Sequence, residues 1–412
     1  MAYTRDDLLT LDREDTLAHV RERFILPEGE IYLDGNSLGP LPRSTAEKLH
    51  DVVHRQWGQD QIRAWNKYRW IHLPRELGDR IGRLIGARPG EVVVGDSTSV
   101  NLFKAIAAGL RLRPDRRVIV SEINDFPSDL YIAQGLVDLL GDQYQLRLAE
   151  SGRLDDMLDD TVAVVSLTHV NYRTGRMHDL AAVTSQVHRQ GAIMLWDLSH
   201  SAGSLSISLD DAGADLACGC GYKFLNGGPG APAFVYAAER WHDQLSQPLT
   251  GWLGHARPFD FVPDYQPADG VGRMICGTPP ILSMTALDAG LSAFDGVEMA
   301  DVRKKSIRQG QLFLELVDQE CGGHGFSLRS PEDPHQRGSQ VCLGHAEGYR
   351  IIQALIARGV IGDFRTPDVL RFGITPLYLR YVDIWDAVAQ LRDVMETRAW
   401  DDDQFIRKEL VT

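Results

Sequence analysis

The sequence contains little cysteine for its length. Five cysteines stand among 412 residues, at positions 218, 220, 276, 321 and 342. So sparse and odd a set argues against a disulfide framework and predicts a reducing, cytoplasmic compartment. Cys218 and Cys220 are separated by one residue, and no second pair with zinc-ligand spacing accompanies them. The sequence therefore predicts no metal site.

Positive charge and long apolar runs are also scarce. Lys and Arg number 43 against 57 Asp and Glu, which gives a formal charge of −14. This excess of negative charge repels nucleic acid phosphates and anionic membrane surfaces. Charges are spread through residues 1–15, and no uncharged apolar run approaches the ~20 residues of a membrane helix. We expect no signal peptide, no nucleic acid partner and no membrane partner.

Short apolar segments rich in β-branched residues alternate with helical patterns through the middle of the chain. Such segments are typical of buried strands, and they lie at residues 91–95, 117–123, 161–169, 192–200, 214–221 and 231–237. The alternation predicts a mostly parallel sheet covered on both faces, with ligands outside the carboxyl ends of its strands. After about residue 285, long helices with few strands predict a smaller α+β domain.

The beginning of the chain carries a different pattern. Leu17, Val20 and Phe24 follow one another at spacings of three and four residues. This spacing predicts an amphipathic helix that ends at Pro27.

One stretch almost lacks charge. From Leu216 to Ala238 the only charged side chain is Lys223, in the segment GCGYKFLNGGPGAP. A half-buried lysine can run its methylene groups over apolar surface and keep its amine in water. Alternatively, a desolvated lysine without an acidic partner has a lowered pKa and serves as a nucleophile for Schiff-base chemistry. The second interpretation needs partners elsewhere in the chain.

Two polar clusters follow predicted strands and open helices. Ser97, Thr98 and Ser99 come directly after the strand at 91–95, where the free N–H groups of a helix start favour a phosphate. Simple capping of the helix is the alternative. Phe126 follows the strand at 117–123, and its ring could cover a heteroaromatic ligand or belong to the core.

A third polar cluster places an acid before the lysine. Asp197 and His200 follow the apolar run AIMLW, and a buried carboxylate there needs a cationic or hydrogen-bonding partner. A structural acid paired with an arginine would also satisfy that need. Together, a lone lysine, an acid on an earlier strand, hydroxyls at a helix start and an aromatic ring form the set that pyridoxal phosphate requires. We therefore predict that Lys223 binds this cofactor as a Schiff base.

Specific motifs extend the argument to nearly the whole chain. They are YLDGNSLGP, TSVNLF, DFPSD, WDLSHSAG, GYKFLNGGPG, GWLGH, CGTPPI and LRFGITPLY. With these motifs the sequence resembles the kynureninase family, which belongs to the α/β class and to pyridoxal phosphate fold type I, the aspartate aminotransferase-like superfamily. The resemblance implies a large domain with a mostly parallel seven-stranded sheet and a smaller α+β domain. We expect an N-terminal segment (1–50) that packs with the small domain, a large cofactor domain (51–285) and a small C-terminal domain (286–412).

The resemblance also implies roles for individual residues. Lys223, Tyr222 and Asp197 would be catalytic. The cofactor, pyridoxal 5′-phosphate, would be bound by Thr98, Ser99, Phe126, Pro127, Ser128, Asp129, Thr168, Asp197, His200, Tyr222 and Lys223. Trp252 and Thr278 would reach the cofactor of a neighbouring subunit, which implies a homodimer. Arg371 would bind the substrate carboxylate, and Ser37 and Trp65 would line the aromatic end of the substrate.

The implied reaction is the hydrolytic cleavage of the Cβ–Cγ bond of L-kynurenine to anthranilate and L-alanine, in tryptophan catabolism. Trp65 and Thr278 would disfavour a 3-hydroxyl group on the ring, so 3-hydroxykynurenine is expected to be the poorer substrate. A cysteine desulfurase-like lyase is one alternative, with Cys321 or Cys342 as its nucleophile. A transaminase and a noncatalytic binding protein are two others, although the latter would have no use for Lys223.

Overall fold

The computed structural model describes residues 3–407 of the chain. Its α-helices are α1 (Arg5–Glu14), α2 (Thr45–Asp51), α3 (Ala64–Lys67), α4 (Leu73–Ile85), α5 (Thr98–Leu112), α6 (Pro127–Leu140), α7 (Leu180–Arg189), α8 (Ile281–Leu291), α9 (Met299–Cys321), α10 (Gly348–Ile356) and α11 (Tyr381–Glu396). Its strands are β1 (Phe24–Ile25), β2 (Ile31–Tyr32), β3 (Leu41–Pro42), β4 (Val92–Val94), β5 (Val118–Glu122), β6 (Gln145–Ala149), β7 (Val162–Thr168), β8 (Ile193–Asp197), β9 (Leu216–Gly219), β10 (Phe234–Ala237), β11 (Ser327–Leu328), β12 (Gln340–Gly344), β13 (Val360–Ile361), β14 (Asp363–Arg365) and β15 (Val369–Gly373).

A seven-stranded sheet forms the centre of the part of the chain from β4 to β10. Its strand order is β4-β10-β9-β8-β7-β5-β6, and only β10 runs antiparallel to its neighbours. The expected fold class, α/β with a mostly parallel sheet of seven strands, is confirmed. The strand β6 was not expected, because its sequence QLRLA alternates polar and apolar residues at the half-exposed sheet edge and contains no continuous apolar run.

The continuous apolar runs arise because the sheet is covered on both faces. Every residue of β7 and of β8 is buried. Along β8, Met194 and Trp196 belong to one hydrophobic cluster, whereas Ile193 and Leu195 belong to the other. Successive side chains of a strand point to opposite faces, so an alternating pattern would leave one face in water. The cores on the two faces fix the sheet and thereby the ends of its strands.

The C-terminal part contains a four-stranded antiparallel sheet with the order β11-β12-β15-β14. The N-terminal segment contacts this part, because β2 pairs in parallel with β13 and α1 packs against α11. A buried ion pair at 2.6 Å joins Lys305 of α9 to Asp15. The division of the chain at residues 50 and 285 stays a prediction.

The helix expected from Leu17 to Pro27 was wrong. The structure has α1 at Arg5–Glu14, a 3-10 helix at Ala18–Arg23 and the short strand β1 that pairs with β3. A 3-10 helix also brings residues three apart onto one face, so the spacing of Leu17 and Val20 fits it equally well. Among residues 3–407, no helix has the length and apolar character needed to cross a membrane.

The N-terminal segment touches the lysine loop at Gly39. Its N–H donates to the carbonyl oxygen of Tyr222 at 2.8 Å. A Cβ atom added at Gly39 would lie 2.6 Å from Oδ1 and 2.7 Å from Cα of Asn226. Real Cβ atoms do not approach other atoms so closely, and therefore only glycine allows this contact.

We predict that Gly39→Ala lowers the free energy of unfolding by about 1–3 kcal/mol, the usual cost of overpacking. The midpoint of urea unfolding measures the change. Gly135→Ala is the matched control, because an added Cβ meets no atom within 4 Å on the exposed face of α6, and alanine favours a helix. Equal midpoints for the two variants would contradict the contact at Gly39.

Candidate active site

Lys223 lies in the loop between β9 and β10, at the centre of the predicted site. Its Nζ is 3.3 Å from Nε2 of His200 and 5.8 Å from the ring centroids of Phe126 and Tyr222. No carboxylate in the described part of the chain forms an ion pair with this amine. Burial lowers the pKa of Lys223, although the neighbouring Cys220 and Asp197 act in the opposite direction. The amine therefore gives up its proton more readily than the amine of an exposed lysine.

His200 is a neutral partner for that amine. Its side chain is buried, and burial, together with the nearby charge of Lys223, holds its pKa well below the ordinary value. A neutral imidazole can accept a hydrogen bond from an amine without adding a like charge.

A pair of buried carboxyl groups lies beneath the lysine. Asp197 is the last residue of β8, and it accepts hydrogen bonds from the Ser199 N–H at 2.9 Å and the Ser199 hydroxyl at 2.6 Å. Asp129, in the first turn of α6, hydrogen-bonds to Asp197. Burial raises the pKa of both acids, and the charge of Asp197 raises that of Asp129 further. Asp129 therefore keeps a proton and Asp197 carries the negative charge.

The register of the sheet positions these groups. Thr168, at the end of β7, stands opposite Asp197 in the ladder between β7 and β8. Its N–H donates to Oδ1 of Asp125 at 3.3 Å. Burial and the neighbouring Glu122 raise the pKa of Asp125 to about 7. Thr168, Asp129 and Asp197 thus meet at one edge of the sheet.

Two helix starts meet above this edge. The Ser97 hydroxyl accepts from the N–H of Val100 at 3.4 Å and caps α5, whose first residue is Thr98. Pro127 opens α6, where its missing N–H costs no hydrogen bond. The hydroxyls of Ser99 and Ser128 are 3.1 Å apart, so the two starts are adjacent. Their N–H groups offer an anion site.

A cavity of about 580 Å³ opens beside these helix starts. Its lining includes Asp96, Ser97, Tyr222, Gly277 and Thr278. Within the single chain, Thr278 therefore shares a cavity with Tyr222, and its contribution to a neighbouring subunit's site stays a prediction. Burial raises the pKa of Tyr222, so its hydroxyl keeps a proton.

Arg371 lies on β15 and is buried. Its Nε donates to Oδ1 of Asp363 at 2.7 Å, and its Nη1 donates to the carbonyl oxygen of Tyr172 at 2.7 Å. Nη2 donates to Asp363 and also to the Ser37 hydroxyl at 2.7 Å. The resemblance implied that Ser37 lines the aromatic end of the substrate. The structure places its hydroxyl at the predicted carboxylate end.

Two residues expected in the site lie in separate aromatic clusters of the single chain. Trp65 packs edge-on against Trp70 at 5.7 Å, and Trp252 packs against Phe259 at 5.6 Å. Nearly half of Trp252 is exposed. No contact within residues 3–407 connects either tryptophan to Lys223, so their roles stay predictions.

Sequence reasoning missed several buried charges around the site. Lys104 donates to Asp96 at 2.7 Å and to the carbonyl oxygen of Met274 at 2.6 Å, and so ties α5 to the loop before Thr278. Lys104 could have been recognised in the sequence, because it is a lysine on the apolar face of a predicted helix. Asp363 and Arg365 also went unrecognised, although three polar or charged side chains in DFRT after an apolar segment could have drawn attention.

These residues fit pyridoxal phosphate by the chemistry of their donor set. A lysine amine of lowered pKa suits the aldehyde, and a buried carboxylate suits the ring nitrogen. The paired helix starts suit the phosphate. Phe126, 41% exposed, leaves its ring available, since it contacts Tyr172 only edge-on at 5.2 Å.

Solved structures of other proteins share the fold of this chain. An apo cysteine desulfurase from Thermococcus onnurineus NA1 matches with a TM-score of 0.77 at 19% identity, covering 92% of this chain and 98% of that chain. A mutant of the lyase C-DES with glycine covalently linked to its pyridoxal phosphate cofactor also matches with a TM-score of 0.77, at 18% identity over 90% of this chain and 99% of that chain. The chain therefore has fold type I, and the residues of its site fit the pyridoxal phosphate cofactor that the second of these structures carries.

Sequence comparison is more specific. Residues 302–391 match the family described as the kynureninase C-terminal domain. Kynureninase from Burkholderia pseudomallei (strain 1106a) is 52% identical over 414 residues, which cover 99% of this chain and 100% of that protein. Kynureninase from Pseudomonas fluorescens is 49% identical over the same shares of the two chains. The chain belongs to the kynureninase family.

We predict that Asp197→Asn weakens the binding of pyridoxal phosphate about 10-fold to 100-fold, because it removes a charged hydrogen bond. Asp129→Asn is the matched control. Since Asp129 is already neutral and donates to Asp197, an amide in its place should leave the affinity within about threefold. Spectroscopic titration of each apoprotein with the cofactor measures both. Equal losses of cofactor affinity in the two variants would contradict the assignment of the proton to Asp129.

Proposed function

We propose that this protein hydrolyses the Cβ–Cγ bond of L-kynurenine, so that L-kynurenine and water give anthranilate and L-alanine. The observation that carries the proposal is the identity of about half of all residues to curated kynureninases along the full length of both chains. The enzyme would act in tryptophan catabolism, in the cytoplasm.

Pyridoxal phosphate, when bound, supplies an electron sink for negative charge at the substrate Cα. Lys223 would hold the cofactor through Nζ, and its amine would accept the proton from the substrate Cα. Its lowered pKa supports both roles, because only the neutral amine is a nucleophile or a base. Asp197 holds a proton on the ring nitrogen, with Asp129 as its hydrogen-bond donor.

Tyr222 is proposed to move the proton at the Cγ carbonyl when water adds there. The raised pKa of its phenol supports a role as proton donor rather than as base. Arg371 binds the substrate carboxylate. The remaining proposed cofactor-binding residues are Thr98, Ser99, Phe126, Pro127, Ser128, Thr168 and His200, and Ser37 and Trp65 are proposed to contact substrate.

A homodimer with shared active sites is part of the proposal. Trp252 and Thr278 would contribute to the cofactor site of the neighbouring subunit. An exposed aromatic patch supports this, since Trp252 is 46% exposed and its neighbours Phe259 and Phe261 are 60% and 77% exposed. Apolar patches of this kind mark protein interfaces.

The cysteine desulfurase alternative requires a reactive, accessible thiolate. Cys321 and Cys342 are both buried. Burial raises the pKa of Cys321 to about 12 and that of Cys342 to about 11. Both thiols therefore stay protonated and enclosed, which disfavours this alternative. A transaminase would use the same Asp197 and Lys223 but would consume a 2-oxo acid.

The reaction itself is tested by isotope labelling. In H₂¹⁸O with kynurenine, the purified holoenzyme is expected to release anthranilate carrying one ¹⁸O in its carboxylate, and unlabelled L-alanine in equal amount. Mass spectrometry of both products measures this. Consumption of kynurenine only when a 2-oxo acid is added, without anthranilate, would contradict the proposal and favour a transaminase.

We predict that L-kynurenine is preferred over 3-hydroxykynurenine. Trp65 is bulky and apolar and Thr278 is short, so together they offer a 3-hydroxyl group little polar contact. Because apolar pockets reject an added hydroxyl by only about 10², slow turnover of 3-hydroxykynurenine is expected. The ratio of kcat/KM for the two substrates measures the preference. A ratio in favour of the hydroxylated substrate would show that these residues do not set the pocket.

A further inference from the structure

The hydrogen bonds that Arg371 forms within the protein leave few of its N–H groups free to bind a substrate carboxylate. A guanidinium has five N–H groups. Four of those of Arg371 are used: two by Asp363, one by Ser37 and one by the carbonyl oxygen of Tyr172. One N–H is left, whereas a bidentate carboxylate takes two parallel donors. The substrate carboxylate therefore needs a second donor nearby.

Arg365 lies next to Arg371 and can supply this second donor. Its Nη2 lies 2.6 Å from Oδ2 of Asp363, the same oxygen that Arg371 contacts, and 3.5 Å from the Ser37 hydroxyl. Nη1 donates to the carbonyl oxygen of Phe364 at 3.2 Å. The Arg365 side chain is 32% exposed, whereas that of Arg371 is 2% exposed. Arg365 thus keeps N–H groups and access to solvent.

Both arginines face the reacting centre. Each lowers the pKa of His200, the residue that contacts the Lys223 amine. The carbonyl oxygen that Arg371 holds belongs to Tyr172, whose ring touches Phe126. In an amino acid the carboxylate carbon is two bonds from the amino nitrogen, so a substrate whose amine lies beside Lys223 would hold its carboxylate close to that amine, on the side of this pair.

The net charge of the cluster formed by Arg365, Arg371, Asp363 and Asp34 favours the binding of an anion. Arg365 and Arg371 bring two positive charges, and Asp363, buried between them, keeps its negative charge because both arginines lower its pKa. Asp34 also faces the cluster, and burial and the neighbouring Asp363 raise its pKa to about 7. In the fraction of molecules in which Asp34 is protonated, the two arginines carry one positive charge more than the acids beside them, which a substrate carboxylate would neutralise.

We propose that Arg365 is a second binding residue for the substrate α-carboxylate, which lies between Arg365 and Arg371 while Asp363 positions both guanidinium groups. The inference rests on the proposed function, since it concerns the amino acid substrate of that same site. Arg365 changes partner when substrate binds, and gives up part of its contact with Asp363. Arg371 keeps its bonds to Asp363 and supplies its remaining N–H.

Arg365→Met tests the proposal, with Arg365→Lys as a variant that keeps the charge. In Arg365→Met the KM for L-kynurenine is expected to rise about 10-fold to 100-fold, the factor of one charged hydrogen bond. Arg365→Lys should show a smaller rise. The kcat should stay within about threefold, because the lost contact is uniform binding. The decarboxylated analogue of kynurenine, used as a competitive inhibitor, should keep the same Ki in parent and variants.

Arg329→Met is the matched control. Arg329 follows β11 in the same sheet and pairs with Asp368, with a side chain 43% exposed, and its loss should leave the KM unchanged. An unchanged KM in Arg365→Met, or an equal rise in KM and in the Ki of the decarboxylated analogue, would overturn the role of Arg365. A parent protein that does not cleave kynurenine would instead contradict the proposed function.

Discussion

The desolvation of the Lys223 amine is the constraint on which the site depends. Water would hold this lysine as an ammonium ion, and an ion pair with a carboxylate would do the same. The Lys223 amine is buried and forms no ion pair among the described residues, and its neighbours are His200, two aromatic rings and, further away, the carboxyl groups of Asp197 and Asp129. The free energy of desolvation is far smaller for a neutral amine than for an ammonium ion, and burial therefore shifts the equilibrium toward the neutral form.

The same burial organises the acids. Asp197 ends a strand that is buried on both faces, and a lone carboxylate there would be costly. Three hydrogen bonds stabilise its charge, donated by the N–H and the hydroxyl of Ser199 and by the protonated carboxyl of Asp129. The parallel sheet makes this arrangement possible, because it brings the end of β8 beside the start of α6. One edge of the sheet therefore brings together an amine of lowered pKa and a pair of carboxyl groups that share one proton.

The proposed carboxylate site around Arg371 is built from three parts of the chain. Ser37 and Asp34 come from the N-terminal segment, Tyr172 from the loop after β7, and Asp363 with its two arginines from the C-terminal sheet. A change in the position of any part changes the partners of Arg371. The proposed carboxylate site thereby depends on how the N-terminal segment and the C-terminal sheet pack against the seven-stranded sheet.

Much of this architecture could be predicted from the sequence, for identifiable reasons. Fully buried strands leave continuous apolar runs, and a lone lysine in an uncharged stretch is visible without a structure. The edge strand β6 and the 3-10 helix at Ala18–Arg23 left no such pattern. Polar contacts between distant segments cannot be recognised in the sequence either. The contact of Ser37 with Asp363, 326 residues apart, depends on the folded chain alone.

The measurement that tests the central claim most directly is the site of covalent cofactor attachment. The holoenzyme is reduced with borohydride, digested and analysed by peptide mass spectrometry. The account predicts a phosphopyridoxyl group on Lys223, in the peptide that contains GYKFLNGG, in amount equal to the bound cofactor. A phosphopyridoxyl group on another lysine, such as the buried Lys104 or Lys305, with Lys223 unmodified, would contradict it.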